Sequence, residues 1–582
     1  MPRVPSFAVD DGFWYSVPSH LAAEIVPGSL VRVPLSGRRV RGWVVELGFR
    51  DPDRLKDIAG VSSAVPVFES PQLEALRWAA RHYVAPISVL LAKATPPNLP
   101  KSIPALPTTR PVDAGGHPLA SVAGEVAEGK RRPVQALVGP WRDVAWIPGL
   151  GTALGSGRSV AVICASVAEA ELVAGEARKL FGDTVVLAHG AAAALTRAWE
   201  SAQVAARLVV GTPRLAVWRI SSLGLAVVLE ENRRAMKERQ TPTLHVREVM
   251  RTRSLLEGFT LAFLGPTPSV ENLASGAEIT RVGSRAWPLV EVVDRSEEPP
   301  GSGFLSQRVM NALAATARSG SRAFVFTHRR RGGAAMRCTR CRTLRSCTLC
   351  GSPLGRGPVC RRCGADAPAA CVSCRATEFE ELGTVPSRLT AEINARLGRE
   401  AAAVHPTESP ISVGTERDLA ALPPMGLVVA ADADGLLMAP GYRASEEALR
   451  LLARLANSLE RGPGRRMMVQ TAHPGSDLIT TLTRGDPIPY LEKVLVERAR
   501  DGLPPAVEMM AIELREHIPP GVSEELGGLE DATLLGPVEI EGGQRWLLAG
   551  RLGKARLALR PKVGRWREAG ATVRIDADPI EI

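Results

Sequence analysis

Long apolar runs are missing from this 582-residue chain; none approaches the roughly 20 residues that a bilayer-spanning helix needs. The opening stretch MPRVPSFAVDDG has no apolar core and meets Asp10 and Asp11 early, so no secretion signal is expected and the default compartment is cytoplasmic. Aromatic residues are scarce, at 4% of the chain, so any stacking on nucleic acid would fall to a few specific rings. Cysteine is absent from almost the whole length. Of the nine, Cys164 stands alone in the apolar run VAVICAS and reads as a small core residue, while the other eight share one short block. Without an export signal, that pattern argues against a disulfide scaffold.

What is present points first to a polyanion. Lysine plus arginine number 72 against 61 aspartate plus glutamate, a formal net charge of +11 on a chain that is 45% hydrophobic and able to bury sizeable cores. The length prior is about four domains. Arginine runs such as RRVRG (38–42), GKRRP (129–133) and HRRRGG (328–333) are also what a solvated face looks like, so charge alone does not decide.

The cysteine block reads CTRC (338–341), CTLC (347–350), CRRC (360–363) and CVSC (371–374). In a C-x-x-C turn both thiolates face one point, and two such pairs make the tetrahedral sulfur site that Zn²⁺ prefers. Four pairs imply two closed sites, structural rather than catalytic, whose binding energy becomes folding energy. A redox C-x-x-C would stand alone beside a βαβ unit. Iron–sulfur clusters use the same donors, and the lack of redox context favours zinc. Spacing leaves the pairing open between adjacent, alternating and nested arrangements.

Along the chain, FAVDDGFWYSVP and SLVRVPLSGRRVRGWVVELG alternate in the manner of strands, with a turn near Ser36-Gly37. Residues 72–92 carry a helical pattern built on Leu73, Leu76, Trp78, Ala79, His82 and Tyr83. Residues 101–133, rich in Pro, Gly and Ala, read as a linker. From about 134, short apolar runs alternate with helical patterns in the βαβ rhythm of a parallel sheet, among them SVAVICAS (159–166), ARLVVGT (206–212), LAVVLEE (225–231) and LAFLGPT (261–267). A second such series starts at 304, is interrupted by the cysteines, and resumes with a helix over 387–397, the strand GLVVAAD (426–432), a helix over 444–459 and the strand RMMVQTAH (466–473). The remainder reads as α+β and ends on ATVRIDADPIEI.

Several stretches carry a family likeness. VVGTPRLAVW (209–218), LGLAVVLEEN (223–232), LGPTPSVEN (264–272), ADADGLLMAPGYRASEEALRLLARLA (431–456), LVERARDGLPP (495–505) and RIDADP (574–579), together with the spacing of all four cysteine pairs, resemble the motifs of the PriA family, the primosomal replication-restart proteins of bacteria. The likeness runs over essentially the whole length. It implies a multidomain α/β fold: an N-terminal β domain that binds DNA 3′ ends (1–100), a linker (101–133), two RecA-like helicase lobes (134–295 and 296–478) with a Cys-rich zinc-binding insertion (337–376) in the second, and a small α+β C-terminal domain (479–582). It also implies that Cys338, Cys341, Cys371 and Cys374 hold one zinc and Cys347, Cys350, Cys360 and Cys363 a second. The implied partners are forked DNA, the replicative helicase with its loader or other primosome proteins, and single-stranded DNA-binding protein, in the nucleoid.

The family is a superfamily-2 DNA helicase, and its ATPase motifs are degraded here. A phosphate site needs a Gly-rich loop and a lysine, yet the corresponding region, ALVGPWRDVAWIPGLG (136–151), has no Gly-Lys-Thr. The nearby GTALGSGRS (151–159) puts Thr152 where the first Gly is needed and Arg158 in place of the lysine. Leu229 stands at the position of the Mg²⁺-holding Asp, leaving Glu230 and Glu231 as acids and Asn232 for the family's His. GTERDLAA (414–421) replaces GTQMIAKG, and RLANSLER (454–461) replaces QVAGRAGR, so the first finger arginine is Ser458 and only Arg461 survives. No catalytic residue is assigned and ATP is not expected as a cofactor. The reading is a factor that recognises stalled or abandoned forks and promotes primosome assembly and helicase loading without unwinding DNA itself. Its alternatives are an active ATP-dependent 3′–5′ helicase with an atypical nucleotide site, and a zinc-stabilised scaffold with no fork specificity.

For the N-terminal domain the resemblance implies recognition of a nascent 3′ end through an aromatic-Asp-aromatic segment and a Gly turn. The matching residues are Phe13, Trp14 and Tyr15, with Gly37 and Arg38 at the turn; Trp14 in place of Asp removes an acceptor for the 3′-hydroxyl. On a strand, Phe13 and Tyr15 would share one face and Trp14 the other, and core packing would account for the same rings. The arginines Arg38, Arg39 and Arg41 favour DNA contact here. The segment 101–133 is too short for the winged helix of the family.

Overall fold

The computed structural model describes residues 1–49, 55–100, 103–105, 115–296, 298, 302–328, 336–341, 343–360, 364–381, 385–405, 408–439, 441–460 and 462–582. The chain forms two compact units, one made of residues 1–282 with 493–580 and 582, the other of residues 283–492 with 581.

In the first unit the β-branched runs become strands buried on both faces, as a parallel sheet covered by helices requires. Seven strands lie in the order Glu278–Arg281, Gln135–Val138, Thr260–Gly265, Leu223–Leu229, Ser159–Ile163, Leu208–Gly211, Val185–Ala188, and every neighbouring pair is parallel. The helices follow local rules. Ser166 caps Val167–Phe181 by accepting the Glu169 amide, and Ala170, Val173, Ala174, Ala177 and Phe181 form its buried stripe. This is the sheet of a RecA-like lobe, and all its strands expose their C-terminal ends on one edge.

The stretch expected as linker contains the helix Pro118–Ala127, which buries Leu119, Val122, Ala123 and Val126. Their spacing is the helical stripe that the surrounding Gly and Pro masked. The expected single helix over 72–92 is two, Ser70–His82 and Ile87–Ala94. Val84 takes a left-handed conformation between them and Pro86, without an amide hydrogen, precedes the second. FAVDDGFWYSVP is not a strand: it holds a short 3₁₀ turn at Phe7–Val9, and among residues 10–16 only Ser16 makes a β-bridge. The Asp10-Asp11-Gly12 turn, with Gly12 at φ +71°, breaks the extended run. A three-stranded antiparallel sheet follows, ordered Arg38–Trp43, Leu30–Leu35, Gly60–Ser63. Near the C-terminus, Ala532–Ile540, Gly543–Gly550, Glu508–Glu516 and Ala571–Ala577 form an antiparallel sheet in that order, backed by helix Gly553–Glu568.

The N-terminal helices, one face of the seven-stranded sheet and the C-terminal sheet share one continuous apolar core, with Leu76, Tyr83, Trp218, Phe259, Ile512 and Trp546 among its members. Polar ties cross it. Lys237 Nζ lies 2.6 Å from the Asp576 carboxylate and donates to the carbonyls of Ala577 and Asp578, and His82 Nε2 is 2.7 Å from the Asp578 carboxylate. Burial pushes the Asp578 carboxyl up, but His82, Lys237 and Arg556 together overcome that and hold it well below the usual carboxylate range.

The second unit has a six-stranded parallel sheet, Val290–Asp294, Arg466–Thr471, Leu427–Ala430, Ala323–Phe326, Ile411–Gly414, Ala402–Val404. The helices Pro386–Leu397 and Ala444–Ala456 lie where the sequence pattern places them. The cysteine block leaves this sheet after Phe326 and is tied off by the antiparallel ribbon Met336–Cys338 and Phe379–Glu381. Among the described residues no helix is long and apolar enough to cross a membrane.

A carboxylate whose pKa is depressed by folding stabilises the native state above its unfolded value, near 3.9, and loses that contribution as pH falls through the folded value. Asp578→Asn is therefore expected to lower stability at pH 7 by about 1.5–3 kcal/mol. It should also flatten the acid limb of the stability profile below about pH 4, read from urea unfolding.

Candidate functional site

The edge where a nucleotide motor would work lies at the C-terminal end of Leu223–Leu229. Leu229 is a core residue at 2% exposure. Glu230 follows in a left-handed conformation at φ +48°, its amide donating to the Leu264 carbonyl at 2.9 Å. Both acids after the strand are buried, and both are engaged. Glu230 lies 3.2 Å from Arg233, whose Nη1 also reaches Glu169 at 2.6 Å. Glu231 accepts from the Ser269 amide at 2.8 Å and from Asn272 Nδ2 at 2.6 Å, and lies 3.3 Å from Arg247. Arg247 in turn reaches Glu248 and Glu271, and Arg498 lies 3.4 Å from Glu271. The Asn232 side chain donates to the carbonyl and hydroxyl of Thr267. The gap beside these acids, bounded by Val138, Thr267 and Pro268, is about 10 Å³, room for about one water.

The loop after Gln135–Val138, where phosphates would be cradled, is filled by its own side chains. Trp141 and Trp146 are buried, and Trp146 Nε1 donates to the Trp141 carbonyl at 2.8 Å. A Cβ on Gly139 would come within 2.5 Å of Val282. The GTALGSGRS stretch lies at the opposite edge. Arg158 precedes strand Ser159–Ile163, which runs parallel to Leu223–Leu229, so a strand length of roughly 17–20 Å separates it from Glu230.

In the second unit, Glu416 of GTERDLAA pairs with Arg450 at 2.9 Å and Arg454 at 3.3 Å on the buried face of Ala444–Ala456. Burial alone would lower the Arg450 pKa, but Glu416 and Glu447 raise it further, so its charge is fixed. Ser458 is buried and donates to the Arg454 carbonyl at 3.3 Å. Arg461 lies outside the described residues.

The cysteines form two clusters, and the arrangement is nested. Cys338, Cys341, Cys371 and Cys374 place all four sulfurs within 4.8 Å of one another, as do Cys347, Cys350 and Cys360; Cys363 lies outside the described residues. Three of the four turns are closed in the same way: Gly351, Gly364 and Arg375, all at positive φ, donate their amides to the carbonyls of Cys347, Cys360 and Cys371. Arg345 lies over the Phe379 ring at 5.2 Å and donates to the carbonyls of Gly355 and Pro368, stitching the two halves together. Among the described residues the apolar core around the inner cluster is Cys347, Leu354 and Cys360, with Cys350, Ala365 and Ala367 packed against it. Thiolates converging in a segment with so little core of its own are a donor set that fits a metal ion.

The N-terminal residues split into two groups. Tyr15 packs against the small cluster under the hairpin and its hydroxyl donates to the Pro34 carbonyl at 3.1 Å. Ser36 and Gly37, both at positive φ, make the hairpin turn. Phe13 and Trp14 instead line a cavity of about 460 Å³ beside helix Ser70–His82. The expected pairing of Phe13 with Tyr15 on one strand face is therefore not what forms, because no strand forms there. On the hairpin, Arg41 stands opposite Arg32, and Arg39 opposite Pro34, so Arg32, Arg39 and Arg41 share one exposed face. None of them, nor Arg38, makes an ion pair among the described residues. Like charges directly opposite are destabilising in a sheet, so this face suits a polyanion. Arg32 was legible only once the register was known.

The 3′ DNA-binding domain (3′BD) family model matches residues 3–96. The chain is 28% identical to a probable replication restart protein PriA of Mycobacterium leprae over 99% of each chain. It is 24% identical to the replication restart protein PriA of Treponema pallidum over 87% of this chain and 85% of that one. Among solved structures, S. cerevisiae Dbp5 bound to RNA and ADP BeF3 aligns with 67% of this chain and 93% of its own at TM-score 0.36 and 10% identity, a likeness too weak to build on.

Removing the cation from a buried pair leaves an uncompensated charge and costs about 3–5 kcal/mol. Arg247→Ala is expected to lose that much in denaturant unfolding, and a loss under 1 kcal/mol would show that Glu231 does not depend on it.

Proposed function

The chain belongs to the PriA family of replication restart proteins, and on that footing we propose that it binds stalled or abandoned replication forks and promotes primosome assembly and loading of the replicative helicase without hydrolysing ATP. The observation that carries the last clause is the fate of the two acids after Leu229: each is buried against an arginine, beside a gap of about 10 Å³. Hydrolysis needs a phosphate cradle with a lysine and an acid free to hold Mg²⁺. Here the cradle position is occupied by Trp141 and Trp146, and the acid position by Leu229. The lobes then serve as a scaffold. The active-helicase alternative requires DNA-stimulated ATP turnover. We expect none above background, alongside fork binding by the same sample; stimulated turnover would refute the scaffold reading.

DNA contact is assigned to the hairpin and its neighbours: Arg32, Arg39 and Arg41 on the exposed face, Gly37 and Arg38 at the tip, Tyr15 packed under the hairpin, and Phe13 on the wall of the cavity beside helix Ser70–His82. Each phosphate contact contributes about 0.7–0.9 to the slope of log affinity against log salt. Arg39→Glu with Arg41→Glu should weaken fork binding and make that slope shallower by about 1.5–2; an unchanged slope would remove this face from the DNA interface, and fork binding no tighter than duplex binding would favour the unspecific scaffold.

The metal is assigned as zinc, two per chain, with Cys338, Cys341, Cys371 and Cys374 holding the first and Cys347, Cys350, Cys360 and Cys363 the second. Zn²⁺ in an all-thiolate site supplies folding energy and no open coordination position. The thiolates converge the four turns, and Arg345 carries that order across the insertion. Freshly purified protein should contain close to two zinc ions per chain and Cys371→Ser close to one; iron in their place, or a ratio near zero, would overturn the assignment. The remaining partners, the helicase loader or other primosome proteins and single-stranded DNA-binding protein, and a place in the nucleoid follow from this role.

A further inference from the structure

Resting on the assignment of the hairpin to DNA, we infer that Arg3 is a further nucleic-acid contact. It completes a row with Arg41 and Arg32 that holds the phosphates of one strand laid across the hairpin, whatever its sequence and whatever the chemistry of its end.

Residues 1–3 lie along the outer edge of strand Arg38–Trp43. Pro2 pairs with Gly42 in an antiparallel bridge, the Trp43 amide donates to the Met1 carbonyl at 2.8 Å, and the Arg3 amide donates to the Arg41 carbonyl at 2.8 Å. Gly42 permits this approach, since a Cβ there would lie 2.8 Å from the Met1 carbonyl oxygen. Successive residues of an extended chain face opposite ways, so with Pro2 and Gly42 on one face, Arg3 and Arg41 share the other. Arg41 also stands directly opposite Arg32. Three neighbouring strands thus carry arginine at one level, about 4.8 Å apart, in a row about 10 Å long. The row ends at Gly60, opposite Arg32, where a Cβ would meet nothing within 4 Å. Its backbone is rooted in the core: two residues further along the same strands, Met1, Trp43 and Leu30 are buried, and Trp43 Nε1 donates to the Thr95 hydroxyl at 3.0 Å.

Arg3, Arg32 and Arg41 are exposed, and none has an ion pair among the described residues. Like charges directly opposite are destabilising in a sheet, so the free row is short of an anion. A strand of B-DNA presents a phosphate about every 3.4 Å of helix axis, and a row of about 10 Å spans about three of them. The row holds no aromatic ring on which a base could stack, so its contacts position the backbone and carry no sequence information. It is also distant from the turn: Gly37 precedes Arg41 by four residues, about 13 Å along the strand. A 3′ end held at the turn would leave the row to the rest of the strand.

The test is the salt dependence of fork binding by the full-length protein, read by fluorescence anisotropy. Arg3→Ala is expected to weaken binding and make the slope of log affinity against log salt shallower by about 0.7–0.9, the share of one phosphate. Arg3→Lys, which keeps the charge, should retain the slope. The loss in Arg3→Ala should be equal on forks of unrelated sequence, and equal whether the nascent strand ends in a 3′-hydroxyl or a 3′-phosphate. An unchanged slope in Arg3→Ala would overturn the proposal. If Arg39→Glu with Arg41→Glu still lowers the slope, only the assignment of Arg3 falls; if it does not, the hairpin assignment falls with it. A slope lost equally in Arg3→Lys would trace the effect to structure rather than charge, and a loss confined to one 3′ end would assign Arg3 to end recognition; either result would overturn the proposal.

Discussion

The first lobe is organised around two buried carboxylates at the open edge of a parallel sheet. Burying one ionised carboxyl without a partner costs more than the net stability of a typical domain, so Glu230 and Glu231 oblige the chain to bring arginines to them. Arg233 comes from the turn that follows the strand, and Glu169 comes from 64 residues away to share it. Arg247 comes from the helix Val246–Glu257, and Glu271 balances it together with Arg498. That network draws the helix, the Ser269 turn and the segment around Arg498 onto one point. It also engages both carboxylates with cations and amide donors. The end of the strand Leu223–Leu229 therefore holds a buried charge cluster, and the loop after Gln135–Val138 carries two buried tryptophans, Trp141 and Trp146.

Cohesion of the first unit has a second source. Because the N-terminal helices, the sheet and the C-terminal sheet share one apolar core, the arginine-bearing hairpin is carried on the same body as the seven-stranded sheet. A protein that recognises a branched substrate by shape gains from such rigidity, since geometry fixed in advance is not ordered again on binding. The cysteine insertion is the opposite case: with a core of a few residues, its order is supplied by ligation and by the backbone turns that aim the thiolates.

Much of this was legible in the residues. The strands of both parallel sheets are short β-branched runs with turn residues at their ends, a pattern that depends only on local spacing. The cysteine spacing foretold two sites, and the family resemblance named their membership, but spacing alone left the pairing open; only the folded chain brings Cys338 next to Cys374 and Cys350 next to Cys360. Where local pattern failed, a specific residue was responsible. Gly12 and its two preceding acids interrupted a run that otherwise alternates, and residues 13–15 after them form no strand. The small residues of 101–133 hid the apolar stripe of Pro118–Ala127. The partners of Glu231 were out of reach because Ser269, Asn272 and Arg247 meet it only through tertiary packing, whereas Arg158, set aside on motif spacing, lies just before its strand and so at the opposite edge of the sheet.

The claim that this lobe has exchanged a nucleotide site for a charge cluster is tested most directly by binding rather than turnover. Titration calorimetry of the full-length protein with ATP and Mg²⁺ should give no saturable heat up to millimolar nucleotide. A one-to-one isotherm in the micromolar range, lost on Glu230→Ala, would contradict the account by showing that the acids after Leu229 still serve a ligand.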